Sequence, residues 1–380
     1  MKLSSLYAWC LSAAGCASLL HAQSFSQFPD SGPETTLDSL WAATGHMQAF
    51  SDAIDSQMGV YRFQDGNQSR FWFSGMGSFG DAGVRNGHPA FDYSAGGGAL
   101  GYDYCTSGNG RGGLLGLALG FMSGTQNIKE MANHPAGFLE GDKFDQDTMM
   151  VNVYGALYRQ TGRKSHLLLS MNMGFGNTDN KCAHHGMNYE DSTWDTETWN
   201  VSLSAAWRYE VSRSFSITPF ARMSYVHASN KVKRDDYDDG GHDSSWWWDD
   251  DDDEYWRRDS RWENRGSFDN LALEVGVTLE HAIRFSNGMM WTNAVSGSYC
   301  PDIWRNNPHH TFNDTWWDGD TVYESRYRGS GYAPARQAFK AKFLSRFVRS
   351  ENLSIYASYQ ACFRESCTEH RAALGVAVVF

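Results

Sequence analysis

From about Ser69 to the last residue, apolar and polar side chains alternate with a period of two, as expected for strands whose two faces meet different surroundings. Near Trp199 to Val211 the alternate residues Trp199, Val201, Leu203, Ala205, Trp207, Tyr209 and Val211 are apolar. Asn200, Ser202, Ser204, Arg208 and Glu210 between them are mostly polar. The rows Leu271, Leu273, Val275, Val277, Leu279 and Leu115, Leu117, Leu119, Phe121 repeat the design, and aromatic residues recur at the row ends. Apolar rows about ten residues long with aromatic ends are the pattern of a transmembrane β-barrel. The pattern predicts twelve antiparallel strands, near Arg70–Ser78, Phe91–Tyr104, Gly112–Ser123, Asp147–Tyr158, Ser165–Gly176, Trp194–Val211, Ser214–His227, Ser267–Glu280, Met289–Tyr299, Ala333–Phe347, Leu353–Phe363 and Thr368–Phe380.

A soluble sandwich would alternate in the same way, so loop length has to decide between the two. Connections after even-numbered strands are short, and those after odd-numbered strands are mostly long. A barrel with trimmed inner turns and decorated outer loops has this asymmetry; a sandwich has no reason for it. Ahead of the strands, Leu37, Leu40, Trp41, Met47, Phe50, Ala53 and Ile54 follow a helical period and predict a helix from Thr35 to Met58. Such a stripe must be buried, and the barrel lumen is the available place. Lys2 followed by the apolar run Leu3 to Leu20 is read as a signal peptide cleaved after Ala22. The expected organisation is a signal at 1–22, a short extension at 23–34, the plug helix and its lead-in at 35–68, and the barrel at 69–380 with a long outer loop at 228–266.

Composition narrows the function classes. The 380 residues carry 44 acidic and 32 basic side chains, a formal charge of -12, which argues against nucleic acid. Hydrophobic residues at 41% and charged residues at 20% exclude a disordered chain. A mean hydropathy of -0.53 excludes a bundle of membrane helices. The expected location is the cell outer membrane of a Gram-negative organism.

Three segments carry a likeness to a known family: Phe71 to Asp81, Phe91 to Tyr104, and Leu114 to Phe121. Together with Pro219 to His227 and the aromatic terminus Phe380, they resemble the autotransporter β-domain. The resemblance implies a twelve-stranded translocator barrel with a helix through its lumen. Its final strand, with Leu374, Val376, Val378 and Phe380 toward lipid, resembles the signal read by the outer-membrane assembly machinery. That machinery and outer-membrane lipid are the expected partners. Only about Gln23–Glu34 precede the helix, so a barrel without its own passenger is expected, acting as a structural, interaction or translocator-type protein.

No catalytic, cofactor-binding or metal-binding residues are assigned, and the expectation is not an enzyme. Two alternatives stand beside it. One is a small-solute pore. The other is a lipid hydrolase, because Tyr225-Val-His227-Ala-Ser229 looks like the His-x-Ser core of outer-membrane phospholipase A. Against the hydrolase, Lys231 stands where that family has Gly, and no downstream Asn is in place to orient His227.

The segment 230–264 holds thirteen acidic residues and five Trp, and is where an extracellular ligand such as Ca²⁺ or a glycan would bind; a charge run of this kind is otherwise a solvated loop. Inward parity puts Arg336, Lys340, Lys342 and Arg346 in one row, with Arg364, Glu369 and Arg371 on neighbouring strands, set to pair with Asp52 and Asp55 of the helix. Five cysteines follow the signal. A four-residue connection Phe363–Ser366 would oppose Cys362 and Cys367 and favour a disulfide, with Cys182 and Cys300 as a second pair.

Overall fold

A computed structural model describes residues 34–58, 66–85, 89–130, 143–183, 192–234, 262–264, 266–318, 321–350 and 352–380. The signal, the extension up to 33 and most of the acidic Trp-rich segment lie outside the described residues.

One helix, α1 (Glu34–Met58), precedes fifteen strands. These are β1 (Gly66–Ala82), β2 (Ala90–Gly108), β3 (Arg111–Glu130), β4 (Lys143–Gly162), β5 (Ser165–Ala183), β6 (Ser192–Glu210), β7 (Phe215–Arg234) and β8 (Trp262–Asn264). They continue with β9 (Ser267–Arg284), β10 (Met290–Tyr299), β11 (Asp302–Asp318), β12 (Thr321–Ser330), β13 (Ala338–Ser350), β14 (Leu353–Arg364) and β15 (Cys367–Val379). Twelve of them, β1 to β7, β9, β10 and β13 to β15, close into an antiparallel barrel. The seam joins β1 to β15 from Arg70 opposite Val379 to Ala82 opposite Cys367. Reciprocal backbone bonds between Ser69 and Phe380, 3.2 and 3.0 Å, finish it, so no free edge remains in the ring.

All twelve expected strands fall on ring strands. Most run well past the expected ends, to 17–20 residues each from β1 to β7, because they continue beyond the bilayer as hairpin arms. A crossing needs only about ten residues. The outward face of an arm meets water instead of lipid, so apolar residues are no longer required there and hydrophobic alternation fades. The other three strands are arms too: β8 pairs with the top of β7, while β11 continues β10 past Pro301 and folds back as β12. Residues 331–337, expected in part as strand, instead cross the mouth and bury Tyr332, Ala333 and Ala335.

The long arms mark the outer end, and tight turns mark the inner end. The turn between β2 and β3 is the pair Asn109-Gly110, with φ of 54° and 71°. A two-residue turn of this hand matches strand twist, and Gly takes the second position without a Cβ penalty. On the outward face Leu115, Leu117, Leu119 and Phe121 of β3 stay exposed to lipid, Leu115 at 65%. Their inward neighbours Leu114, Ala118 and Met122 are buried in the lumen. Among the described residues no helix is long and apolar enough to cross a membrane.

The expected disulfide is not formed. The connection from β14 to β15 is a two-residue turn, Glu365-Ser366, with Ser366 at φ 62°, and this pairs Arg364 with Cys367 and Cys362 with Glu369. Both cysteines do point inward, but a register set by two residues rather than four leaves them diagonal instead of opposed. Cys105, Cys182, Cys300, Cys362 and Cys367 are all buried, and among the described residues none of them forms a disulfide.

Candidate functional site

The lumen holds α1, which enters at the outer mouth and ends in the inner half. Three bands fix it. At the top, Leu37, Leu40 and Trp41 pack with Phe91, Ile128, Phe144, Trp194, Phe268 and Tyr332 in a single apolar cluster. Trp41 meets Phe268 edge-on at 5.9 Å, and Phe91 meets Tyr332 at 4.9 Å. The Asp38 carboxylate accepts the backbone N–H of Tyr332 and ties the N-terminal part of the helix to the crossing segment. Charge at a helix N-terminus is favourable when negative, which suits Asp38.

The middle band is uncharged: polar contacts run beside an apolar cluster in which Met47, Phe50 and Ile54 pack with Trp72, Met122 and Met150. His46 Nδ1 lies 2.8 Å from Thr148 Oγ1, which is 2.9 Å from Thr178 Oγ1. Asn200 Nδ2 donates to Ser51 Oγ at 2.8 Å. Beside it, Phe50 lies against Gly120, where a Cβ would come within 2.8 Å of the Phe50 ring. Only glycine leaves room for that approach.

The lower band is ionic. Arg371 Nη1 meets Asp52 Oδ2 at 2.8 Å, and Gln360 Nε2 donates to the same oxygen at 3.0 Å. Arg371 Nη2 also bonds Glu369 at 2.8 Å, so two carboxylates hold one guanidinium. Asp55 pairs with Arg222. Arg346 Nη2 donates to the Ser56 and Gln57 carbonyls at 3.3 and 3.4 Å. Those carbonyls belong to the last turn of the helix, where its dipole is negative and a cation is stabilising.

Of the cations expected to pair with the helix carboxylates, Arg371 does so, at Asp52, whereas among the described residues none of the row Arg336, Lys340, Lys342 and Arg346 forms an ion pair with Asp52 or Asp55. Lys340, Lys342 and Arg346 do face the lumen, but Arg336 lies outside the strand and is exposed. Lys340 is held by Glu274 of β9 at 2.9 Å rather than by the helix, and Arg364 by Asp302 at 3.1 Å. Arg222, the main partner of Asp55, was missed. Its inward parity between Ala221 and Met223 could have shown it. The helix is also not one-sided: Ser39, Thr44, His46, Ser56 and Gln57 are buried as well. A lumen surrounds its occupant, so every face needs partners.

His227 and Ser229 face outward with Tyr225, as parity requires. The group that orients His227 does exist, on the neighbouring strand: His227 Nδ1 and the Tyr225 hydroxyl both lie 2.7 Å from Asp269 Oδ1. Trp199 and Trp304 flank the pair with ring centroids 4.8 and 6.4 Å from Tyr225. Among the described residues Ser229 shares no hydrogen bond with His227. The cluster has the form of an interfacial aromatic belt with its polar tips satisfied.

A family model of the autotransporter beta-domain matches residues 71–261, just over half of the chain. The transport unit of the autotransporter AIDA-I from Escherichia coli superposes with a TM-score of 0.59 at 14% identity, over 88% of this chain and 98% of that one. The translocator domain of the autotransporter NalP from Neisseria meningitidis gives 0.55 at 12%, over 90% and 99%. The beta domain of the Bordetella autotransporter BrkA gives 0.54 at 13%, over 82% and 100%. No curated protein matches in sequence. At these identities the structural likenesses speak for the fold, and the sequence model speaks for descent. A closed twelve-stranded outer-membrane barrel, threaded by an N-terminal helix and matched by that model through β1 to β7, belongs to the autotransporter β-domain family.

Proposed function

We propose that the protein is a translocator-type barrel whose lumen has been left plugged by its own helix, so that whatever precedes Glu34 is presented at the outer surface. The direction of α1 carries this reading. Its first turn sits in the outer seal and its last turn in the inner half, so the chain ahead of it leads outward. The role needs no catalytic group. Lipid around the outward rows and the assembly machinery at the last strand are its partners; Leu374, Val378 and Phe380 are exposed outward there. The test is an epitope inserted between Gln23 and Glu34. Antibody should label intact cells, and labelling that needs a permeabilised outer membrane would remove the proposal.

The hydrolase alternative has one observation in its favour, the 2.7 Å contact that lets Asp269 orient His227. It lacks the contact between His227 and Ser229 that would activate a nucleophile. Purified protein is expected to release no fatty acid from phospholipid micelles. Release abolished in both His227→Ala and Ser229→Ala would reverse this assignment.

A further inference from the structure

We propose that the inner half of the lumen is a binding site for a carboxylate, with the Lys342 ammonium as its contact. Below the last turn of α1 lies a cavity of about 390 Å³, reaching from Asp55 and Arg222 down to His166 and Glu210 near the inner turns. Three of the cations on its wall are already held: Arg208 by Glu280 at 2.5 Å, Lys340 by Glu274 at 2.9 Å, and Arg222 by Asp55. Lys342 faces the same space and, among the described residues, makes no hydrogen bond and no ion pair.

An ammonium has three donors to satisfy, and a charge kept from bulk water is normally paired. Asp52 and Asp55 of α1 lie within electrostatic reach of this ammonium, but each is bonded to an arginine, Arg371 and Arg222, so the three Lys342 donors are left for a group in the cavity. Room for it exists: the cavity would hold about thirteen waters at roughly 30 Å³ each, and these are what an anion would displace. Beside Lys342 the wall is mixed. Leu344 and Phe220 offer apolar surface to a short carbon skeleton, while Ser296 and Thr278 bond each other at 2.8 Å. A small carboxylate matches that combination better than a bare inorganic ion, which would leave the apolar patch uncovered. Two sources share this chemistry: a free solute entering at the inner mouth, and an Asp or Glu side chain of a polypeptide in the lumen.

Calorimetric titration of the purified full-length protein in detergent, at low ionic strength to limit screening, separates them. The probes are succinate and the capped peptide acetyl-Gly-Glu-Gly-amide. At least one should bind the unaltered protein, bind Lys342→Arg comparably, and bind Lys342→Gln roughly tenfold or more weakly, the scale of one charge-assisted contact. Tighter binding of succinate assigns the site to a free solute, and tighter binding of the peptide assigns it to polypeptide. Binding of neither probe, or equal binding to Lys342→Gln, overturns the proposal. Unboiled migration on a denaturing gel checks that Lys342→Gln is folded. The readout does not depend on the fate of the chain ahead of Glu34, so the proposal and the translocator reading can fail separately.

Discussion

In planar bilayers the intact protein should conduct little, and the same protein lacking residues 34–58 should conduct roughly tenfold more or better, with a preference for anions. The closed state follows from the two ends of the plug. Leu37, Leu40 and Trp41 exclude water at the outer mouth, and Asp52 and Asp55 are tied to the wall below. Selectivity follows from what deletion leaves behind. Glu274 and Glu280 keep their own partners, Lys340 and Arg208, whereas Arg222 loses Asp55, Arg371 loses Asp52, and Arg346 loses the helix carbonyls. Lys342 adds another cation on the same wall. The open lumen would then carry surplus positive charge, which raises the local concentration of anions. The small-solute pore alternative predicts the opposite for the intact protein. A wide, steady conductance before deletion would sink the plug.

How far the sequence could be read depends on what each residue faces. Leu271 to Leu279 sit between lipid on one side and the lumen on the other, so their period of two is sharp and the strand is visible. The arm residues Thr178 to Lys181 still alternate between a buried inner side and an exposed outer side, but Thr178 and Asn180 inside are as polar as Asp179 and Lys181 outside, so β5 stops announcing itself in the sequence where the chain leaves the bilayer. Pairing is harder still. That Arg371 and Asp52 both point into the lumen is a matter of parity; that Lys340 meets Glu274, while Lys342 makes no hydrogen bond or ion pair among the described residues, depends on depth and cross-strand register. Register also explains the failures. Two residues fewer in the turn at Glu365-Ser366 slid Cys367 opposite Arg364 and removed the expected disulfide. The pairing of His227 opposite Asp269 supplied an orienting carboxylate that no spacing along the chain could reveal.

The outer seal should depend on Trp41 more than on any single ion pair below it. Trp41 is 4% exposed and sits edge-on to Phe268 at 5.9 Å and to Tyr332 at 6.5 Å, with the Arg364 guanidinium 5.9 Å above its ring. Truncating a buried Trp to Ala costs about 3–5 kcal/mol through lost transfer energy and the cavity left behind. The stacked guanidinium would lose a further contribution of about 0.5–1 kcal/mol or more. The ion pairs are less decisive taken singly. Arg371 without Asp52 still has Glu369, so part of its stabilisation survives. The loss from Trp41→Ala falls on docking of α1 rather than on closure of the barrel, because the strand ladder from β15 through β1 to β7 does not pass through this contact. Amide hydrogen exchange along residues 37–50 should accelerate by roughly a hundredfold or more, since each 1.4 kcal/mol is a factor of ten in the undocked population. Trp41→Phe should lose less, and Asp52→Asn less than Trp41→Ala. The barrel amides of β3 and β4 should keep their protection in all three variants. Unchanged exchange of α1 in Trp41→Ala would show that the helix is held from below, and the ionic band would then take over the role assigned to the seal.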